Sequence, residues 1–192
     1  MKLPLDSVRS FLRLLVLAHL IVLSWSWPTI RPVCDHLKLM STQMKSLRIL
    51  TRDLKKESEI SSMEYKLDTL PEMKYTADHL RSLKLNDSLL QLYKDLSSFK
   101  LHIDWLINIQ GNTSPVKSEE VSKVLQRILH LCNTTLKQIV CPIPLISKPS
   151  LPTQLQTWDV AILSNEILER LLFSCDWSIR VLSTLWSQTH CR

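Results

Sequence analysis

Residues 153–190 read TQLQTWDVAILSNEILERLLFSCDWSIRVLSTLWSQTH, a stretch with no Gly, no Pro and an apolar residue every three or four positions. That period is the signature of one long amphipathic helix. Thr153 and Gln156 stand at capping-box spacing, so the helix is expected over about 154–188. At 3.6 residues per turn, Val160, Ile167, Leu168, Leu171, Cys175, Ile179, Leu182 and Trp186 fall on one side and form the expected core stripe. The other side carries Glu166, Glu169, Arg170, Asp176 and Arg180, as a solvated face should, but also Trp158, Ile162, Phe173 and Trp177. Large apolar groups on a charged face either meet another segment of the chain or wait for a partner.

Three more helices can be read upstream. Val33, Leu37, Met40, Met44, Leu47, Thr51 and Leu54 define a first helix over about 34–56. Its far face carries Lys38, Lys45, Arg52 and Lys56 around Ile49, either a solvated basic face or a second binding surface. Leu89, Tyr93, Leu96, Phe99, Ile103, Leu106 and Ile107 define a second over about 88–110, stopped by Gly111, the only glycine in the chain, which suits a left-handed cap. Val121, Leu125, Ile128, Cys132, Thr135 and Ile139 define a third over about 118–140, with Lys123, Arg127 and His130 off the stripe.

The connections order these helices in space. About thirty residues with weak periodicity separate the first two, Gly111 opens a short turn, and the Pro-rich CPIPLISKPSLP of residues 141–152 leads to the last helix. Long, short and long connections give an all-α, up-up-down-down, long-chain four-helix bundle with two long crossovers. In that topology Cys34, Cys141 and Cys191 share one end. Cys34–Cys141 is the first choice of disulfide, with Cys191 competing for either partner. Cys132 and Cys175 stand roughly 13 Å and 24 Å above that end, too far apart to pair, and read as small buried hydrophobes.

Composition sets the outer bounds. The 192 residues are 45% hydrophobic and 22% charged, enough for one helical domain with a packed core. The net charge of +6 is spread along helical faces, which argues against nucleic-acid binding. Lys2, Arg9 and Arg13 precede the apolar run Leu14–Leu23, and Ser24 and Ser26 give a small-x-small pattern. Residues 1–26 therefore read as a secretory signal peptide rather than a membrane anchor, and residues 27–192 as a secreted domain with no membrane insertion. Secretion turns Asn86, Asn112 and Asn133 into glycosylation candidates and the cysteines into disulfide candidates.

The chemistry-bearing residues form no constellation. His36, His79, His102, His130 and His190 are scattered, and HExxH, CxxC, Gly-x-Ser-x-Gly and phosphate-loop patterns are missing from the sequence. No cofactor, metal or catalytic site is expected. The residues describe a binding protein, the alternative being a secreted carrier that encloses a small apolar ligand in a core cavity.

Several segments also resemble the interleukin-6 group of long-chain helical cytokines, and within it the interleukin-11 branch. They are KLDTLP at 66–71, the run from Lys84 through SLLQLYKDLSSFKLHIDWL to Leu106, Leu-Thr-Arg-x-Leu at 50–54, and WDVAILSNEIL followed by CDWSIR in the last helix. The resemblance implies a protein, monomeric when free, that binds a specific alpha receptor and the group's shared signalling receptor chain. It places Asp176, Trp177 and Arg180 on the alpha-receptor surface and Trp158 on one shared-chain surface. The other shared-chain surface carries over only as faces, Lys45, Ile49 and Arg52 with Lys123, Arg127 and His130. The five cysteines depart from the interleukin-11 pattern, and a bond from the first helix to the third is more like the leukaemia inhibitory factor branch. That branch opens its last helix with Phe-x-x-Lys, whereas this chain has Trp158-Asp-Val-Ala161.

Overall fold

The structure is a computed structural model that describes residues 30–57, 67–72, 76–111, 115–152, 155–189 and 191. The expected signal peptide, Asn112 and Thr153 lie outside the described residues. Five helices are present among them, α1 (Ile30–Glu57), α2 (Ala77–Arg81), α3 (Leu85–Gln110), α4 (Val116–Gln138) and α5 (Thr157–Gln188).

The helix ends differ from the sequence reading for local reasons. Helix α1 begins four residues early because Pro32 is tolerated in a first turn, where its missing N–H would have had no partner. Helix α5 begins three residues late, because Asp159 accepts a hydrogen bond from the Gln156 N–H at 3.3 Å and caps the helix one turn downstream of Thr153. Gly111 does end α3, but at φ 53° and ψ −128° it is not the left-handed cap expected. That combination is essentially open only to glycine. At the end of α4, Pro142 disfavours a helical Cys141, and Val140 makes the turn at φ 54° while the Cys141 N–H donates to the Leu136 carbonyl at 2.9 Å.

Side-chain pairs fix the direction of each helix. Cys34 at the start of α1 is bonded to Cys191 after α5, Arg48 meets Asp176, and Lys55 meets Glu169, so α1 and α5 run antiparallel. His36 contacts Thr135 and Lys117 pairs with Glu57, so α1 and α4 are antiparallel as well. The Cys132 thiol donates to the Leu89 carbonyl, and Ser122 donates to Asp104, which sets α3 against α4. Helices α1 and α3 therefore point one way and α4 and α5 the other. This is the up-up-down-down bundle, with α1 packed on α4 and α5 and α3 packed on the same two.

The core is continuous and filled. Leu37, Met40, Met44, Leu47, Leu89, Leu96, Phe99, Ile103, Leu125, Ile128, Leu136 and Ile167 are fully buried. The hollow lined by Leu67, Leu151 and Leu163 and the groove lined by Leu39, Arg127 and His130 both open to the surface, and neither supports the carrier reading. On α5 the buried face includes Ser174 and Ser178, while Ile179 is half-buried and Trp186 is exposed, contrary to the expected stripe. Two serines in mid-face hide its true centre from a hydrophobicity count.

The disulfide corrects the first-choice pairing. Cys34 bonds to Cys191 with Cα atoms 5.4 Å apart, and Cys141 is a free, half-buried thiol. The physical reason lies in the two helix exits. After α5 the Cys191 N–H folds back onto the Trp186 carbonyl and tucks Cys191 to 5% exposure beside α1, whereas the Val140 turn starts the connector that continues to α5. Cys132 and Cys175 are free and fully buried, as their stripe positions require.

Candidate binding surfaces

Both long connections lie against the bundle and decide which aromatics remain exposed. Residues 67–70 of the first crossover are pinned by buried Leu67 and Leu70 and by Arg170 donating to the Leu67 carbonyl. Thr69 also donates to Nε2 of the fully buried His102, whose Nδ1 donates to the Ser98 carbonyl at 2.7 Å. The second connector is held by Trp105, which donates to the Pro152 carbonyl at 3.0 Å.

The two tryptophans singled out on α5 have different fates. Trp158, in the first turn, is 56% exposed. Trp177 is half-buried against the core, and His79 of α2 lies over it with ring centroids 5.8 Å apart and planes at 44°. Its neighbours divide too, since Asp176 is held by Arg48 at 2.7 Å while Arg180 is exposed. That bridge is about half exposed at the carboxylate and contributes only about 0–1 kcal/mol, so it orients Asp176 more than it stabilises the fold. Phe173 is 56% exposed and uncovered by the described part of the crossover.

Of the six α1 and α4 residues, only Arg127 and His130 line the groove between those helices. Lys45 and Arg52 are helical neighbours of both Arg48, which reaches α5, and exposed Ile49, so they lie on the outer face of α1 at its α5 edge. Ile49 points outward at 53% exposure. The groove between α1 and α4 is lined by Leu39, Gln43, Gln126, Arg127, His130 and Leu131. Lys123 is exposed and pairs with Glu119 one turn away. Arg127 and His130 thus stay with the groove, while Lys45 and Arg52 belong to the neighbouring edge.

Of the glycosylation candidates, Asn86 is exposed in the first turn of α3. Asn133 is half-buried, and its amide oxygen is buried without a hydrogen-bond partner. The thiols offer no nucleophile on α4 or α5. Burial pushes Cys132 up to about 12 and raises Cys175 as well, so neither is a thiolate at neutral pH. Among the described residues no group of three His, Cys, Asp or Glu is placed to hold a metal ion, and no helix is long and apolar enough to cross a membrane.

Comparison with known families matches residues 28–189, most of the chain, to Interleukin 11. The chain belongs to the Interleukin 11 family. A search of the curated proteins finds no match. Among the exposed groups of the bundle are Trp158 at the entry of α5, Phe173 and Arg180 on its outer face, and Ile49 on the outer side of α1.

Sequence reasoning missed His79, Arg48 and Leu39. His79 sits in a stretch without periodicity, so nothing local ties it to a residue 98 positions away. Arg48 looks like any surface cation until α5 is laid beside it. Leu39, 45% exposed, falls just outside the core stripe and is visible only as an unexplained apolar residue.

Proposed function

We propose that this interleukin 11 family cytokine is secreted after removal of residues 1–26 and acts by assembling receptors. In this reading it binds a specific alpha receptor through Asp176, Trp177 and Arg180, and the shared signalling receptor chain of the interleukin-6 group through two other surfaces. Trp158 forms one of these. Ile49, with Lys123, Arg127 and His130 across the α1/α4 groove, forms the other, and Lys45 and Arg52 flank Ile49. The free protein is a monomer, Asn86, Asn112 and Asn133 are acceptors for N-linked glycans, and no cofactor takes part.

The observation that supports this best is the separation of exposed groups along α5. Trp158 is 56% exposed in the first turn and Arg180 is exposed 22 residues later, about 33 Å away at 1.5 Å per residue. Surfaces so far apart admit two receptor chains at once. Each pairs an exposed apolar or cationic anchor with a polar rim, the composition of residues that dominate binding energy.

The test is stepwise assembly. The mature protein is mixed with the alpha-receptor ectodomain, then with the shared chain, and complex mass is followed by light scattering. A binary complex that grows only when the shared chain is added supports the reading; a protein that joins neither receptor refutes it. Arg180→Ala should weaken the binary complex by roughly 30-fold, the equivalent of about 2 kcal/mol for an interface anchor.

A further inference from the structure

The outer side of α1 carries a row of cations that the receptor reading does not use as a set. Lys38, Lys45 and Arg52 recur every seven residues and Lys56 follows one turn later, so all four share one strip. At 1.5 Å per residue they are spaced by about 10 Å, 10 Å and 6 Å, over roughly 27 Å in all. All four are exposed, and none makes an ion pair with a described residue.

The surrounding carboxylates do little to cancel the row. On the α5 flank, Asp176 and Glu169 are already held by Arg48 and Lys55. At the end of the helix Glu57 pairs with Lys117. Asp35 and Asp53, three residues before Lys38 and Lys56, are the remaining acids of α1, and neither bridges to the row. Some cations elsewhere are neutralised within their own helices, as at Lys100–Asp104, Lys123–Glu119 and Arg170–Glu166. A strip of unpaired charge at regular spacing on a convex helix attracts a linear polyanion whose charges recur along its length.

We propose that Lys38, Lys45, Arg52 and Lys56 form a binding site for a sulfated glycosaminoglycan chain of the heparan type. The assignment rests on the secreted reading, which makes that polymer the accessible polyanion. It does not depend on which receptor is bound. A nucleic acid fits less well, because α1 has no Phe, Tyr or Trp on which a base could stack.

The test uses the full mature chain, with its disulfide formed, on immobilised heparin over a salt series. A variant with Lys38→Gln, Lys45→Gln, Arg52→Gln and Lys56→Gln is compared with one of equal charge change, Lys84→Gln, Lys94→Gln, Lys137→Gln and Lys148→Gln, at four exposed positions elsewhere. The expected result is wild-type binding at physiological salt, at least tenfold weaker binding and a shallower salt dependence for the row variant, and less than a twofold change for the control. Equal losses in both variants would mean that net charge alone is read, and would overturn the site. So would failure of the wild type to bind, or equally tight binding of duplex DNA. Heparin binding through the row in a protein that joins no receptor would refute the receptor reading and leave this one standing.

Discussion

The two ends of α5 carry similar residues and are built differently. At the entry, Trp158 stands in solvent on a turn held by the Gln156–Asp159 cap. At the exit, Trp177 lies under His79, Asp176 is clamped to Arg48, and the chain closes on α1 through Cys34–Cys191. An aromatic on the outside of a helix is a free anchor only where no other segment reaches it. The first crossover reaches the exit through α2, and the described residues leave Trp158 open.

This contrast can be broken at several points. The largest effect should come from the staple. Cys34→Ser, or Cys191→Ser, removes a bond spanning 157 residues of sequence and should cost about 2–5 kcal/mol in a denaturant melt, loosening the exit while the entry keeps its cap. A loss below about 1 kcal/mol would mean that the exit is held by packing alone. Next is Trp177→Ala, which uncovers a half-buried contact and should cost about 1–3 kcal/mol, against less than about 0.5 kcal/mol for Trp158→Ala. Equal costs would erase the difference between the ends.

The crossover itself can be loosened by acid. Burial lowers the pKa of His102 below its usual 6.5, and the smaller effect of the Ser98 carbonyl opposes it. A lowered folded-state pKa means that the unfolded chain binds the proton more readily, so this contribution to stability is present above pH 6.5 and is lost as pH falls. Asp95 acts in the opposite sense. Burial raises it from 3.8 to about 6, so its protonated form favours the fold below 3.8 and that contribution disappears as pH rises through about 6. His102→Gln should therefore gain stability relative to wild type on going from pH 7.5 to pH 5, and Asp95→Asn should lose it. Melting temperatures across that range check both signs.

The smallest expected effect is at the glycosylation candidates. Asn86→Gln should remove one glycan mass and leave the melting temperature unchanged, as measured by mass spectrometry and a thermal melt, because the side chain is exposed in the first turn of α3.

Much of this architecture was legible because helical periodicity is a local property. Val33 through Leu54, Leu89 through Leu106 and Val121 through Thr135 each announce a stripe, and the lengths of the connections order them. What escaped was information held between segments. Cys191 rather than Cys141 meets Cys34 because of how two helix exits turn, and the deciding torsion at Val140 has no sequence signature. Ser174 and Ser178 displaced the apparent core of α5 towards Trp186. The cover over Trp177 could not be read because His79 lies in a stretch of weak periodicity, and the Arg48–Asp176 pair, which shows how near Lys45 and Arg52 stand to α5, joins residues 128 positions apart.

If the entry of α5 is a receptor surface separate from its exit, Trp158→Ala should uncouple the two. The variant is measured in two assays, affinity for the alpha receptor and signalling in cells that carry both receptor chains. Wild-type alpha-receptor affinity, within about twofold, is expected together with loss of signalling. Signalling retained at wild-type levels would contradict it, as would a parallel loss of alpha-receptor affinity in a protein whose melting temperature is unchanged.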